Sequence, residues 1–122
     1  MTVTRHTTLL LLSLVLVLPS GLRAQDYDTL IQQSIERRNQ EDLAGAEALL
    51  RQAYPIPADK SEVATLLGLV LAFQEKFEEA TEVLENELAN QPMHTELRLA
   101  LARVRYFTRD YADARQLIRQ VL

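Results

Sequence analysis

Side chains able to do chemistry are few in this chain. There are two histidines, His6 and His94, and no cysteine. The missing cysteines exclude disulfides, thiolate metal sites and cysteine nucleophiles. A metal site needs several ligands that converge. His94 stands alone after Pro92-Met93 and reads as a solvent-facing linker residue, and His6 lies in a separate apolar leader. Carboxylates are plentiful, but Glu78, Glu79, Glu82 and Glu85 crowd one helical segment and read as its solvated face, not as an acid–base pair across a cleft. Glycine-rich phosphate loops and Ser/His/Asp arrangements are absent from the sequence. No catalytic, cofactor-binding or metal-ligating residue is expected, and an enzyme is not the expected class.

What remains is binding by apolar, aromatic and arginine side chains, so the elements that would carry them matter. The chain has 122 residues, 48% hydrophobic and 25% charged, with four Pro and three Gly, which suits one small folded domain. Residues 1–24 read as a secretory signal peptide. Arg5 gives a positive start, residues 9–18 an apolar run, and Pro19-Ser20-Gly21 a break before Ala24 at the expected cleavage point. That run is too short to span about 30 Å of hydrocarbon as a helix. Without a cysteine after the leader, lipoprotein anchoring is excluded. An exported chain that lacks disulfides must be held by helix packing.

Charge is uneven. Residues 25–94 carry 14 acidic and 5 basic residues, whereas residues 95–122 carry 3 acidic and 6 basic. A phosphate-tracking surface needs clustered positive charge, so nucleic acid is not an expected partner.

Apolar spacing of three and four residues predicts six helices, over residues 27–38, 43–53, 63–73, 77–88, 96–107 and 111–122. Asp26 or Asp28 is expected to cap the first, Asp42 the second and Thr95 the fifth. Asp59-Lys60-Ser61-Glu62 has capping-box spacing before the third. Pro55 and Pro57 end the second helix and Pro92 follows the fourth. Moving 34 residues forward takes Leu67 to Leu101, Gly68 to Ala102, Phe77 to Tyr111, Ala80 to Ala114 and Leu84 to Ile118. Moving 34 back takes Gly68 to Ser34, Phe77 to Leu43, Ala80 to Ala46 and Leu84 to Leu50. Small residues are expected where two helices of a hairpin approach closely. The units are residues 27–60, 61–94 and 95–122, the last one shortened.

This pattern resembles the tetratricopeptide repeat family, whose 34-residue period and helix–turn–helix unit it shares. Leu67-Gly68, Ala80 and Pro92 match the family pattern in the middle unit, with Ala64, Leu71 and Leu84 in place of larger aromatics. Glu87, Gln33, Arg98 and Arg105 depart from it. The resemblance implies an all-α fold of three helix–turn–helix repeats forming a short right-handed solenoid across residues 25–122. It also implies a concave groove lined by the first helix of each hairpin.

By that register the groove residues are Ile31, Ile35, Arg38 and Asn39, then Thr65, Leu69, Ala72 and Phe73, then Leu99, Arg103, Tyr106 and Phe107. The surface suits an extended peptide or a helix, with Arg38 and Arg103 able to fork onto a carboxylate. The alternative for Phe73, Tyr106 and Phe107 is packing between neighbouring helices. The family's carboxylate-clamp subgroup uses Lys and Asn at several of these positions, and only Asn39 matches. The implied function is a non-enzymatic protein–protein interaction scaffold of the bacterial periplasm or cell envelope, soluble after leader removal, with a protein or peptide partner and no cofactor. The alternative is an assembly module that self-associates through its C-terminal helix, where Leu117, Ile118, Val121 and Leu122 are apolar. Such a module could equally dock a following domain, such as the outer-membrane barrel of the export proteins that repeat modules of this kind resemble.

Overall fold

The computed structural model describes residues 20–122, with side chains from Asp26 onward. The expected leader therefore lies, up to residue 19, outside the described residues. Six α-helices follow one another: α1 (Ser20–Asn39), α2 (Leu43–Ala53), α3 (Ser61–Phe73), α4 (Phe77–Asn90), α5 (Thr95–Phe107) and α6 (Tyr111–Arg119). No strand occurs among the described residues. Each odd helix packs against the even helix that follows it, making three hairpins. The hairpins are joined because α3 packs on α2, and α5 packs on both α3 and α4.

The 34-residue period is built into the backbone. The odd helices end at residues 39, 73 and 107, and the even helices begin at 43, 77 and 111. Each hairpin turn holds one residue in the left-handed conformation, Glu41, Glu75 and Arg109, at φ of 63°, 62° and 65°. Beside each, an amide reaches back to close the helix end: Asp42 N–H to Arg37 O (2.8 Å), Lys76 N–H to Leu71 O (2.9 Å), Asp110 N–H to Arg105 O (2.8 Å). This is the double-bonded helix stop that most often uses glycine. Here two glutamates and an arginine adopt it.

Caps follow local chemistry and correct some expectations. Asp42 accepts from Gly45 N–H at 2.9 Å and starts α2 as expected. Asp110 does the same for Asp113 N–H at 3.3 Å in α6. Thr95 does not cap α5; His94 does, its Nδ1 accepting from Leu97 N–H at 3.4 Å, so His94 is half-buried and not a free linker residue. Asp59 accepts from Ser61 N–H at 2.9 Å, yet no reciprocal capping box forms, because Glu62 accepts from the Tyr27 hydroxyl instead. Asp26 and Asp28 are interior to α1, which starts seven residues before its amphipathic pattern does. Leu22, Arg23 and Ala24 are good helix formers, so the backbone continues where the apolar stripe has ended. At the other end α6 stops at Arg119, three residues short of the expected end; Arg98 Nη1 takes the Gln120 carbonyl at 3.2 Å.

The core runs between the hairpins. Leu50, Val63, Val70, Leu71, Leu84, Leu97 and Val104 are its largest fully buried side chains. Helix α3 is buried on most of its circumference, as a helix enclosed by three others must be. Ala46, Ala80 and Ala114, one per even helix, are all buried. They face Ser34, Gly68 and Ala102 on the odd helices, also buried, and let each pair close up. The approach is tightest at Gly68, where an added Cβ would lie 2.6 Å from Leu84 Cγ.

Candidate functional site

The odd helices meet side by side and run in the same direction. At their N-terminal ends the Tyr27 hydroxyl donates to Glu62 Oε2 at 2.9 Å, joining α1 to α3. Burial and this carboxylate push the Tyr27 phenol well above its usual range. At their C-terminal ends Phe73 and Phe107, the last residues of α3 and α5, place their rings 6.0 Å apart. Between these ends lies one shared face.

Its N-terminal half is a depression of about 250 Å³ lined by Ile35 from α1, Ser61, Glu62, Thr65 and Leu66 from α3, and His94 and Glu96 from the start of α5. Apolar side chains form its floor and two carboxylates its rim. Asp28, Glu62 and Glu96 occupy the same position in the three repeats and are all exposed. In α3 and α5 that position is in the first turn, where a carboxylate is favoured by the positive helix end.

Its C-terminal half is aromatic. The Phe107 ring lies 6.5 Å from both Phe77 and Tyr106, and Tyr106 meets Tyr111 edge-on at 5.4 Å. Tyr106 remains 62% exposed and Phe73 43%. Arg103 is exposed and Arg38 half-buried; neither makes a hydrogen bond or ion pair among the described residues. The face is therefore acidic at one end and aromatic with arginines at the other.

Of the residues expected on this surface, Leu99, Arg103, Tyr106, Phe107, Phe73 and Asn39 are exposed, and Ile35, Arg38, Thr65 and Leu69 are half-buried. Two are displaced. Ile31 is 3% exposed and belongs to the core, as does Ala72. The close pairing of α1 with α2 draws Ile31 inward, so the first hairpin offers the face less apolar surface than its register promised. Thr65 spends its hydroxyl on the Ser61 carbonyl at 2.7 Å. Phe73 and Phe107 partly cover each other, so packing and exposure both apply to them. Glu62, Leu66, His94 and Glu96 went unpredicted as lining residues. The recurrence of Asp28, Glu62 and Glu96 at 34-residue spacing was the available signal.

The opposite, even-helix side is occupied by structural charge pairs. Glu47 on α2 accepts from Lys76 Nζ (2.9 Å), Arg51 Nε (2.8 Å) and Gln74 Nε2 (2.9 Å), and Arg51 also reaches Glu79 on α4 (2.9 Å). Lys76 first, with Arg51 and Gln74, holds the Glu47 carboxyl down at about 2. At the next junction Arg105 spans Glu85 (2.7 Å), Thr81 (3.3 Å) and Asp113 (2.8 Å). Glu78 and Glu82 remain on the solvated face expected of them. Asp59, fully exposed, is lowered to about 2 by the Ser61 amide and hydroxyl and by Gln91. Lys60 ties the proline loop by donating to the Tyr54 and Pro57 carbonyls at 2.8 and 3.0 Å. Buried Glu87 shares its carboxylate with Gln91 Nε2 at 3.1 Å.

Among the described residues no three His, Cys, Asp or Glu side chains gather as metal ligands would. No described helix is long and apolar enough to cross a membrane. No protein-family model matches the chain, and no curated protein matches it either.

Proposed function

We propose that this chain is a tetratricopeptide-like repeat module, a short solenoid that binds a peptide or protein partner along the face of its odd helices and performs no catalysis. The observation that carries the reading is the undersupported Tyr106–Arg103 end of that face. An exposed tyrosine and an unpaired arginine stand there beside Phe73 and Phe107, whereas the even-helix side pairs many of its charges within the protein. Tyrosine and arginine are the residues most often energetically dominant at interfaces. Arginine presents a fork suited to carboxylate, and its neighbours supply apolar anchoring. With Glu62 and Glu96 at the far rim, the favoured ligand is an extended peptide whose apolar residues lie on Leu69 and Leu99. Its carboxylate would be at the aromatic end and any basic residue at the acidic end. Export to the periplasm or envelope follows from the leader-like composition of residues 1–24 and belongs to the same reading.

The test is binding of synthetic peptides that end in an aromatic residue and a free carboxylate, measured by fluorescence anisotropy. Arg103→Ala combined with Tyr106→Ala should weaken binding at least roughly tenfold, the scale of losing one hot-spot pair, while the helical circular dichroism is unchanged. Equal binding by wild type and the double variant overturns the groove reading. A second reading, an assembly module, draws on a different observation, the open edge of α6.

A further inference from the structure

The third hairpin leaves uncovered a face that the first two have covered. Leu50 and Leu84 stand at the same place on α2 and α4 and are 1% and 0% exposed, because α3 and α5 lie over them; their counterpart on α6, Ile118, is 41% exposed. Leu43 and Phe77 are half-buried, and their counterpart Tyr111 is exposed. The two internal junctions show what such a face takes, which is a helix presenting an apolar stripe. Val63, Leu67 and Val70 of α3 form it at the first junction, and Leu97, Leu101 and Val104 of α5 at the second.

Charge specifies the occupant further. The residues one and two turns along the even helices meet an opposite charge from the following hairpin at both junctions. Glu47 meets Lys76 and Arg51 meets Glu79 at the first; Glu85 meets Arg105 at the second. On α6 these two places hold Arg115 and Arg119, both exposed, and neither forms an ion pair among the described residues. The matching element must carry carboxylates.

We propose that the edge formed by Tyr111, Arg115, Ile118 and Arg119 docks an acidic amphipathic helix of another protein, laid across α6 as α5 is laid across α4. This rests on the repeat register and not on the odd-helix groove. A second copy of this chain fits poorly. Its α1 offers Thr29, Gln33 and Glu36 where α3 offers Val63, Leu67 and Val70, so polar groups would be set on Ile118. Its Arg37 occupies the place of Arg105 and would face Arg119 with like charge. A two-fold face-to-face pairing brings Arg115 and Arg119 against their own images.

The natural probe is the chain's own docking helix with its charge reversed. A helix-stapled synthetic peptide of residues 94–108 carrying Arg105→Glu places a carboxylate opposite Arg115 and Arg119. It should bind the full chain roughly tenfold more tightly than the same peptide with Arg105 retained, as expected for one partly desolvated charge pair. In a protein carrying Arg115→Glu and Arg119→Glu the preference should reverse, and Ile118→Glu should abolish binding of both peptides. Arg103→Ala with Tyr106→Ala should leave both affinities unchanged, which separates failure here from failure of the groove. Because all these positions are exposed, an unchanged melting temperature establishes that the variants fold. The proposal is overturned if neither peptide binds, if the two bind alike, or if the preference survives charge reversal of the protein. Concentration-dependent mass of the wild-type chain in sedimentation, lost with Ile118→Glu, would assign the edge to a second copy and overturn it as well.

Discussion

Glu41, Glu75 and Arg109 hold the left-handed backbone conformation that closes each odd helix. A residue with a Cβ pays about 1 kcal/mol or more for it, and glycine does not. Nothing in these side-chain types signals the conformation, so the turns were legible in position but not in geometry. Glu75→Gly should therefore raise the unfolding free energy by about 0.5–1 kcal/mol, read as a higher urea midpoint at unchanged slope. Gly68 makes the opposite case. A helix interior ordinarily gains about 1 kcal/mol from Gly→Ala, but here the new Cβ would meet the Leu84 isobutyl group at 2.6–2.9 Å. Overpacking of about 1–3 kcal/mol outweighs the propensity gain, and Gly68→Ala should lower stability by about 1 kcal/mol in the same urea titration. The small residue at this place was readable from its recurrence as Ser34 and Ala102.

At the scale of the element, the departures from the repeat pattern turn out to be the ties between hairpins. Arg105 stands where α3 has buried Leu71, and it is held half-buried by Glu85, Thr81 and Asp113. Arg98 fastens α5 to the end of α6 and to the Pro92 carbonyl. Reading these arginines as degeneracy missed their partners, which lie 8 to 24 residues away in sequence and on other helices. Glu47 is the corresponding tie at the first junction. Its carboxyl ionises at about 2 in the folded chain against an ordinary 4.5. A depressed value means the stabilisation is fully present above pH 4.5 and is lost as pH falls towards 2. Lys76 and Arg51 are themselves half exposed, so the contribution is about 1–2 kcal/mol, below what the shift alone would give. Glu47→Gln should cost that amount at pH 7. The gap between variant and wild type in thermal denaturation should stay constant down to pH 4.5 and narrow between 4.5 and about 2.

Across the whole molecule, the 34-residue spacing visible in apolar and small residues reappears in helix ends, left-handed turns and buried alanines. Six helices and their pairing were legible because amphipathic period and turn position are local properties. Which residues face outward was less legible, because burial depends on what lies across from a helix. Ile31 went inward under α2, and Ile118 stayed outward with no helix across it. The candidate face was read from register alone. The structure assembles its aromatic end from Phe73, Tyr106 and Phe107 and adds an acidic rim. The central claim is that ligand binds along the odd helices, and amide chemical-shift mapping tests it most directly. A peptide with an apolar stretch and a free carboxylate is titrated into the isotope-labelled chain. The account predicts shifts concentrated at Arg38, Thr65, Leu69, Phe73, Leu99, Arg103 and Tyr106, with α2 and α4 still. Shifts concentrated instead on α2 and α4, or no shifts at saturating peptide, would contradict it.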